Sequence, residues 1–193
     1  MPGLTVHVGL TGNAADALPR PAGFTRAMSR AVNKTAMQTR TAAVREVRAA
    51  GYNLKASTVR KALALTRARP ASPVATLKAR GAPVPLIEYD ARPTNAGVTV
   101  RVKNGRKPIR HAFIATMDSG HTGVFVRIGT GHKRLWKRGR SRWSGLPIRE
   151  LFGPSIPDAV GNAAVQAALT RLVGRKFPAI LAHEMEWEAK KRG

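Results

Sequence analysis

Between Phe24 and Ala50 the apolar or small side chains Phe24, Met28, Ala31, Val32, Thr35, Thr39, Ala42, Ala43 and Val47 recur at helical spacing. Arg26, Arg30, Lys34, Arg45 and Arg48 fall on the opposite side of the wheel. A helix of that length reaches roughly 40 Å at 1.5 Å per residue. Its stability in water depends on another layer covering the apolar stripe. The stretch therefore predicts a long amphipathic helix with a cationic face outward. Gly51 suits the left-handed residue that closes a helix. The stretch NLKASTVRKALAL predicts a second, short helix with Val59, Ala62 and Leu63 inward, ended by the prolines after Arg69.

Strand patterns follow. LTVHVGL at residues 4–10 alternates like a short strand or arm and leads into a turn-rich segment up to Gly23. Weak strand runs lie at 74–79 and 84–89, and stronger ones at 98–103, 112–117 and 123–128. Val98, Val100, Val102 and then Val124, Val126, Ile128 alternate with their neighbours, the period-two mark of a half-buried sheet. Short Gly-containing connections predict an antiparallel meander.

Near the C-terminus, Ser155-Ile156-Pro157-Asp158 has capping-box spacing and opens an Ala-rich helix to about Val173. Gly174 and Pro178 are expected to interrupt it. A last helix then carries Glu186–Lys190 and Glu188–Arg192 as spaced ion pairs. The predicted class is α+β: an antiparallel sheet of about four to five strands, flanked by the long N-terminal amphipathic helix and C-terminal helices. Residues 1–23 are expected to be an arm, and 24–193 one domain with a basic loop at 130–145.

The net charge is +24, from 34 Lys and Arg against 10 Asp and Glu. A monomer so basic repels itself and attracts polyanions. The excess runs along the chain rather than in a tail: residues 51–80 hold seven Lys or Arg and no acid. The absence of cysteine excludes disulfides, thiolate zinc sites and thiol nucleophiles. No apolar run approaches a membrane span and the N-terminus lacks a secretion pattern, so the chain is expected to be soluble and cytoplasmic when made.

No set of residues carries catalysis. His183-Glu184 begins like a zinc-protease helix, but Trp187 stands where the second imidazole belongs. There is no P-loop and no dinucleotide glycine motif, and Ser155 reads as a helix cap rather than a nucleophile. Glu88 and Asp90 share one side of a predicted strand without forming a convincing acid–base pair. No cofactor and no metal are expected.

Six Lys or Arg stand among the ten residues 133–142. Lys133, Arg134, Lys137, Arg138, Arg140 and Arg142 suit phosphate groups, and Trp136 and Trp143 suit stacking or a protein joint. A solvated loop is the plain alternative. Arg26, Arg30, Lys34, Arg45 and Arg48 form a second candidate surface. Neither surface offers a set that reads base edges, so any DNA contact is expected to be blind to sequence.

Three stretches carry a resemblance: FTRAMSRAVNKTAMQTRTAAVREV with NLKASTVRKAL, then HAFIATMDSGHTGVFVRIG, then LPIRELFGPSIPDAV. In this order, with a basic connection between the last two, the chain from about Phe24 onward resembles the minor tail protein Z or tail completion proteins of tailed bacteriophages. The resemblance implies a structural virion protein without enzymatic activity, joining the head-proximal end of the tail to the head. It implies a ring, expected to be a hexamer, around the DNA path. The implied partners are tail terminator, tail tube or head-completion ring proteins, with a contact to DNA in the lumen as a further expectation and no membrane. Arg127, Leu146, Pro147 and Ile148 are motif positions expected to pin the two ends of the basic loop to the sheet. Gly153, Pro154, Ser155 and Pro157 are expected to turn the chain into its helix. The Arg- and Trp-rich segment 133–142 and the arm before Phe24 go beyond the motif.

Overall fold

The computed structural model describes residues 4–8, 23–129, 131, 134–137, 140–143 and 146–191. The chain divides into two compact units. One comprises Met1–Ala50, Lys55–Ala82 and Ser155–Gly193, and the other Gly51–Leu54 and Pro83–Pro154.

The first unit is organised by α1 (Phe24–Ala49), whose inward face buries Ala27, Met28, Ala31, Val32, Ala36, Ala42, Ala43 and Val47. Small residues dominate this stripe and allow close packing. The hydroxyls it buries are satisfied along the helix, Thr35 donating to the Ala31 carbonyl (2.8 Å) and Thr39 to that of Thr35 (2.9 Å). Ala50 follows as the C-cap, and Gly51 takes φ +90°, the left-handed conformation that terminates the helix with little strain.

α2 (Ala56–Ala62) leads directly into β2 (Leu63–Thr66), which pairs with β3 (Ala75–Ala79); β1 (Leu4–Val8) pairs with β3 on its other edge. In β3 the alternation is strict, with Ala75, Leu77 and Ala79 buried. Met28, Val32 and Ala36 of α1 pack with Ala68 and Ala75, and Phe24, Leu65, Phe177 and Leu181 close over them. Asn33 clamps the segment after β2 from both sides, donating to the Ala68 carbonyl (2.9 Å) and accepting its N–H (2.7 Å).

α3 (Ile156–Val160) starts with a complete capping box, Ser155 accepting from the Asp158 N–H and Asp158 accepting from the Ser155 N–H. The helix stops at Gly161, and Asn162 caps α4 (Ala163–Lys190) by accepting from the Ala164 N–H at 3.1 Å. The break therefore falls here and not at Gly174 and Pro178, through which α4 runs uninterrupted for 28 residues. An internal proline costs about 3 kcal/mol. Burial of the flanking Phe177 and Leu181 against the α1 core offsets it, a contribution that local sequence does not express.

The second unit holds β4 (Pro83–Pro85), β5 (Arg92–Thr94), β6 (Gly97–Val100), β7 (Lys107–Arg110), β8 (Ala112–Thr116), β9 (Thr122–Arg127), β10 (Arg134–Lys137), β11 (Arg140–Trp143), β12 (Ile148–Glu150) and β13 (Phe152–Ser155). The α+β class is observed, but the strands do not form one sheet of four or five. They form the three-stranded sheets β5-β6-β7 and β12-β9-β8 and the pairs β13-β4 and β10-β11. One cause is His111, the single residue between β7 and β8. It takes φ +60°, which turns the chain into a new sheet instead of a hairpin. The run at 84–89 is likewise only partly strand, since Leu86–Glu88 forms a 3-10 turn.

That turn presents Tyr89, fully buried, whose hydroxyl donates to the Pro154 carbonyl at 2.8 Å. Gly153 lies against its ring: a Cβ there would sit 2.6 Å from Tyr89 Cε2. Gly153→Ala is therefore expected to overpack this site and lower stability by roughly 1–3 kcal/mol, read as a shift in the urea midpoint.

Candidate functional site

The five helix-face cations do not share one environment. Arg26, Lys34, Arg45 and Arg48 are exposed, whereas Arg30 is half-buried. Arg30 Nε donates to Glu184 at 2.6 Å and Nη2 to Glu188 at 2.7 Å, and Lys34 Nζ pairs with the other oxygen of Glu184. Both glutamates are buried, at 3% and 5% exposure. They stand one turn apart on α4, and between them Trp187 presents its ring to the Arg30 guanidinium at 4.5 Å. Arg30 and Lys34 are thus structural cations rather than members of a uniformly outward face, and Glu188 is held by Arg30. The Glu188–Arg192 pair of the sequence reading falls partly on residue 192, outside the described residues.

Burial by itself pushes the Glu184 carboxyl up. The hydrogen bonds and charges of Lys34 and Arg30 outweigh it and hold the group below the ordinary carboxylate value. Arg30 is raised further by its bonds to Glu184 and Glu188. A depressed carboxylate stabilises the fold above its unfolded pKa, and that contribution is lost as pH falls through the folded one.

Arg45 is engaged by the neighbouring Glu46, Nε at 3.0 Å and Nη2 at 2.9 Å. Arg45 and Arg48 line an open cleft with Thr41, Val44, Ala49 and, from α2, Arg60.

In the second unit the segment expected as a basic loop contains two paired strands. The register is Arg134↔Trp143, Leu135↔Arg142, Trp136↔Ser141 and Lys137↔Arg140. Trp136 and Trp143 are of the aromatic type that favours strand backbone. Lys133 and Arg138 lie outside the described residues.

The root of this hairpin is ordered by the sheet. Arg127 in β9 pairs with Ile148 in β12, and the Ile128 N–H donates to the Pro147 carbonyl at 2.7 Å. Leu146 is half-buried and Pro147 exposed. The Arg127 guanidinium lies 5.2 Å from the centre of the Phe113 ring, and Phe113 meets Phe125 at 6.2 Å. Glu150 bonds His121 at 2.9 Å. Two of the exposed large apolar residues, Ile128 and Ile148, sit at this root. Further along, Gly153 and Pro154 pack on Tyr89, Ser155 caps α3, and Pro157 is buried in its first turn.

The residues weighed for chemistry stand as follows in the fold. His183 is exposed. Asp90 is held by Arg92 (3.3 Å) and by Arg106. Among the described residues no group of three His, Asp or Glu is placed to hold a metal ion, and no helix is long and apolar enough to cross a membrane.

Sequence reasoning did not join Glu184 and Glu188 to Arg30 and Lys34, and it gave Arg60 no place at a site. A signal existed for the two acids: they stand at i, i+4 on a helix whose next turn carries Leu181 inward, and an acid on a buried face requires a cation.

A model of the family described as prophage minor tail protein Z (GPZ) matches residues 20–191. No curated protein and no solved structure matches.

Glu184→Gln is expected to destabilise the chain at neutral pH by about 2 kcal/mol, because Arg30 and Lys34 lose a buried anion. Below the ordinary carboxylate value of 4.5 the parent chain should lose stability faster than the variant, narrowing the gap between them. Urea unfolding at neutral pH and at steps below that value checks both.

Proposed function

We propose that this chain, which belongs to the prophage minor tail protein Z family of structural phage tail proteins, completes the tail and joins it to the head. In this reading it is a ring-forming subunit at the head-proximal end of the tail or neck. The observation that carries the reading is the family match over residues 20–191. The charge supports it: a subunit of +24 needs negative neighbours, and a ring set against acidic rings around packaged DNA supplies them. A sixfold ring of identical subunits distributes binding over many contacts that are each weak alone.

The hairpin β10-β11 is the joint in this reading. It lies in sequence between β9 and β12, which pair at Arg127 and Ile148, and it concentrates Trp and Arg, the residues enriched at interface anchors. Its partners would be a tail terminator, tail tube or head-completion ring. The role is structural and not enzymatic, and the location is the virion, after assembly in the host cytoplasm. The +24 charge also favours a second reading, a sequence-independent nucleic-acid-binding protein that condenses or packages the genome.

The particle separates the two. Mass spectrometry of purified virions should find the chain at roughly six copies for one cyclic ring, and deleting its gene should leave full heads beside unjoined or faulty tails. Intact infectious particles after deletion would overturn the joining role.

The hairpin has its own test. Replacing Arg134, Trp136, Arg140, Arg142 and Trp143 by Ser and Gly is expected to leave the thermal midpoint nearly unchanged while particle yield drops. A variant that unfolds would make the hairpin part of the core.

A further inference from the structure

The geometry points to the cleft between α1 and α2 as a site for the phosphate backbone of duplex DNA, gripped without regard to sequence. Thr41, Val44, Arg45 and Arg48 form one stripe of α1, at i, i+3, i+4 and i+7, and Arg60 faces them from α2 across an open cleft of about 520 Å³. All three arginines are exposed. Arg45 shares the acid Glu46, while the guanidiniums of Arg48 and Arg60 have no hydrogen bond or ion pair among the described residues.

The neighbourhood is also short of acceptors. Arg40 ties the two helices by donating from Nη2 to the Arg60 carbonyl at 3.1 Å, and its Nε stays buried without a partner. No acid occurs in the α2 segment or anywhere in residues 51–80. The site is therefore cationic by construction and built of arginine, whose planar fork matches a phosphate with two parallel hydrogen bonds. Cβ atoms at i and i+3 stand about 5–6 Å apart, close enough for Arg45 and Arg48 to meet one phosphate or two successive ones.

The lining also selects the form of nucleic acid. Single strands are held by stacking on aromatic rings, and no aromatic residue lines this cleft. Base edges are read by Asn, Gln or Arg set in a groove-entering element, whereas here the non-arginine lining is Thr41, Val44 and Ala49. Phosphate contact is what remains. The inference goes beyond the joining role and does not depend on it: particle assembly reads that role, and DNA affinity reads this one.

The test is the salt dependence of binding to a short duplex of arbitrary sequence, followed by fluorescence anisotropy with the full chain. Each phosphate contact contributes about 0.9 to the slope of log K against log salt, so the triple variant R45Q/R48Q/R60Q should lower the slope by roughly two to three. The equal charge change K107Q/R110Q/R149Q, at exposed positions of the second unit, should lower it by clearly less. R45K/R48K/R60K should keep most of the slope. If the Gln triple fails to fold by circular dichroism, R48Q and R60Q singly, each lowering the slope by about one, carry the same test.

An unchanged slope in the Gln variants overturns the site. So does an equal loss in the second-unit control, which would mark a bulk-charge effect. A single strand of the same length binding as tightly through these arginines, or inorganic phosphate displacing the duplex at matched ionic strength, also overturns the assignment to duplex DNA.

Discussion

The fold of the first unit rests on the meeting of α1 with α4, and within it on two buried acids held by two cations. The Ala- and Val-rich stripe of α1 supplies the apolar area, and each fully buried Val contributes roughly 1.5–3 kcal/mol. Glu184 and Glu188 then fix which faces meet. A carboxylate at 3% exposure is tolerable only opposite a charge, and Arg30 and Lys34 are the charges within reach. Sliding α4 by one turn would carry one of the two acids away from its present cation. The pairing therefore specifies register at least as much as it stabilises.

This arrangement has a consequence for the remaining charge. A chain with 34 cations has 10 acids to offset them, and two of those acids are committed inside the first unit. Others are held locally, Glu46 by Arg45, Asp90 by Arg92 and Arg106, and Asp158 in the cap of α3. In the α1–α2 cleft Arg45 shares Glu46, while Arg48 and Arg60 meet no acid among the described residues. The negative counterpart must come from outside, which is what a subunit among acidic rings or beside DNA would find.

The second unit is built differently. Its described strands are spread over small sheets and pairs. On either side of the β10-β11 pair in sequence, β9 and β12 pair with each other, and the Arg127 guanidinium lies against the Phe113 ring.

Several of these features were legible in the sequence. The stripe of α1 was, because its period is local, and so was the capping box at Ser155, whose partner stands three residues away. The cations Arg45 and Arg48 could be read off the same wheel. What local pattern misjudged were features settled by distant partners. Arg30 looked solvated because its acid lies 154 residues further on. Pro178 looked like a break because the burial that sustains α4 comes from another helix. The basic segment looked like a loop because its density of charge hid a cross-strand register. Arg60 carried no mark of its own until α2 was laid beside α1. The sequence by itself determined the class, the long amphipathic helix and the excess of cations, since periodicity and net charge are properties of the chain as written. The tertiary structure alone decided which cations are consumed inside the fold and which remain outside, because that depends on which acids packing brings within a few ångströms of them.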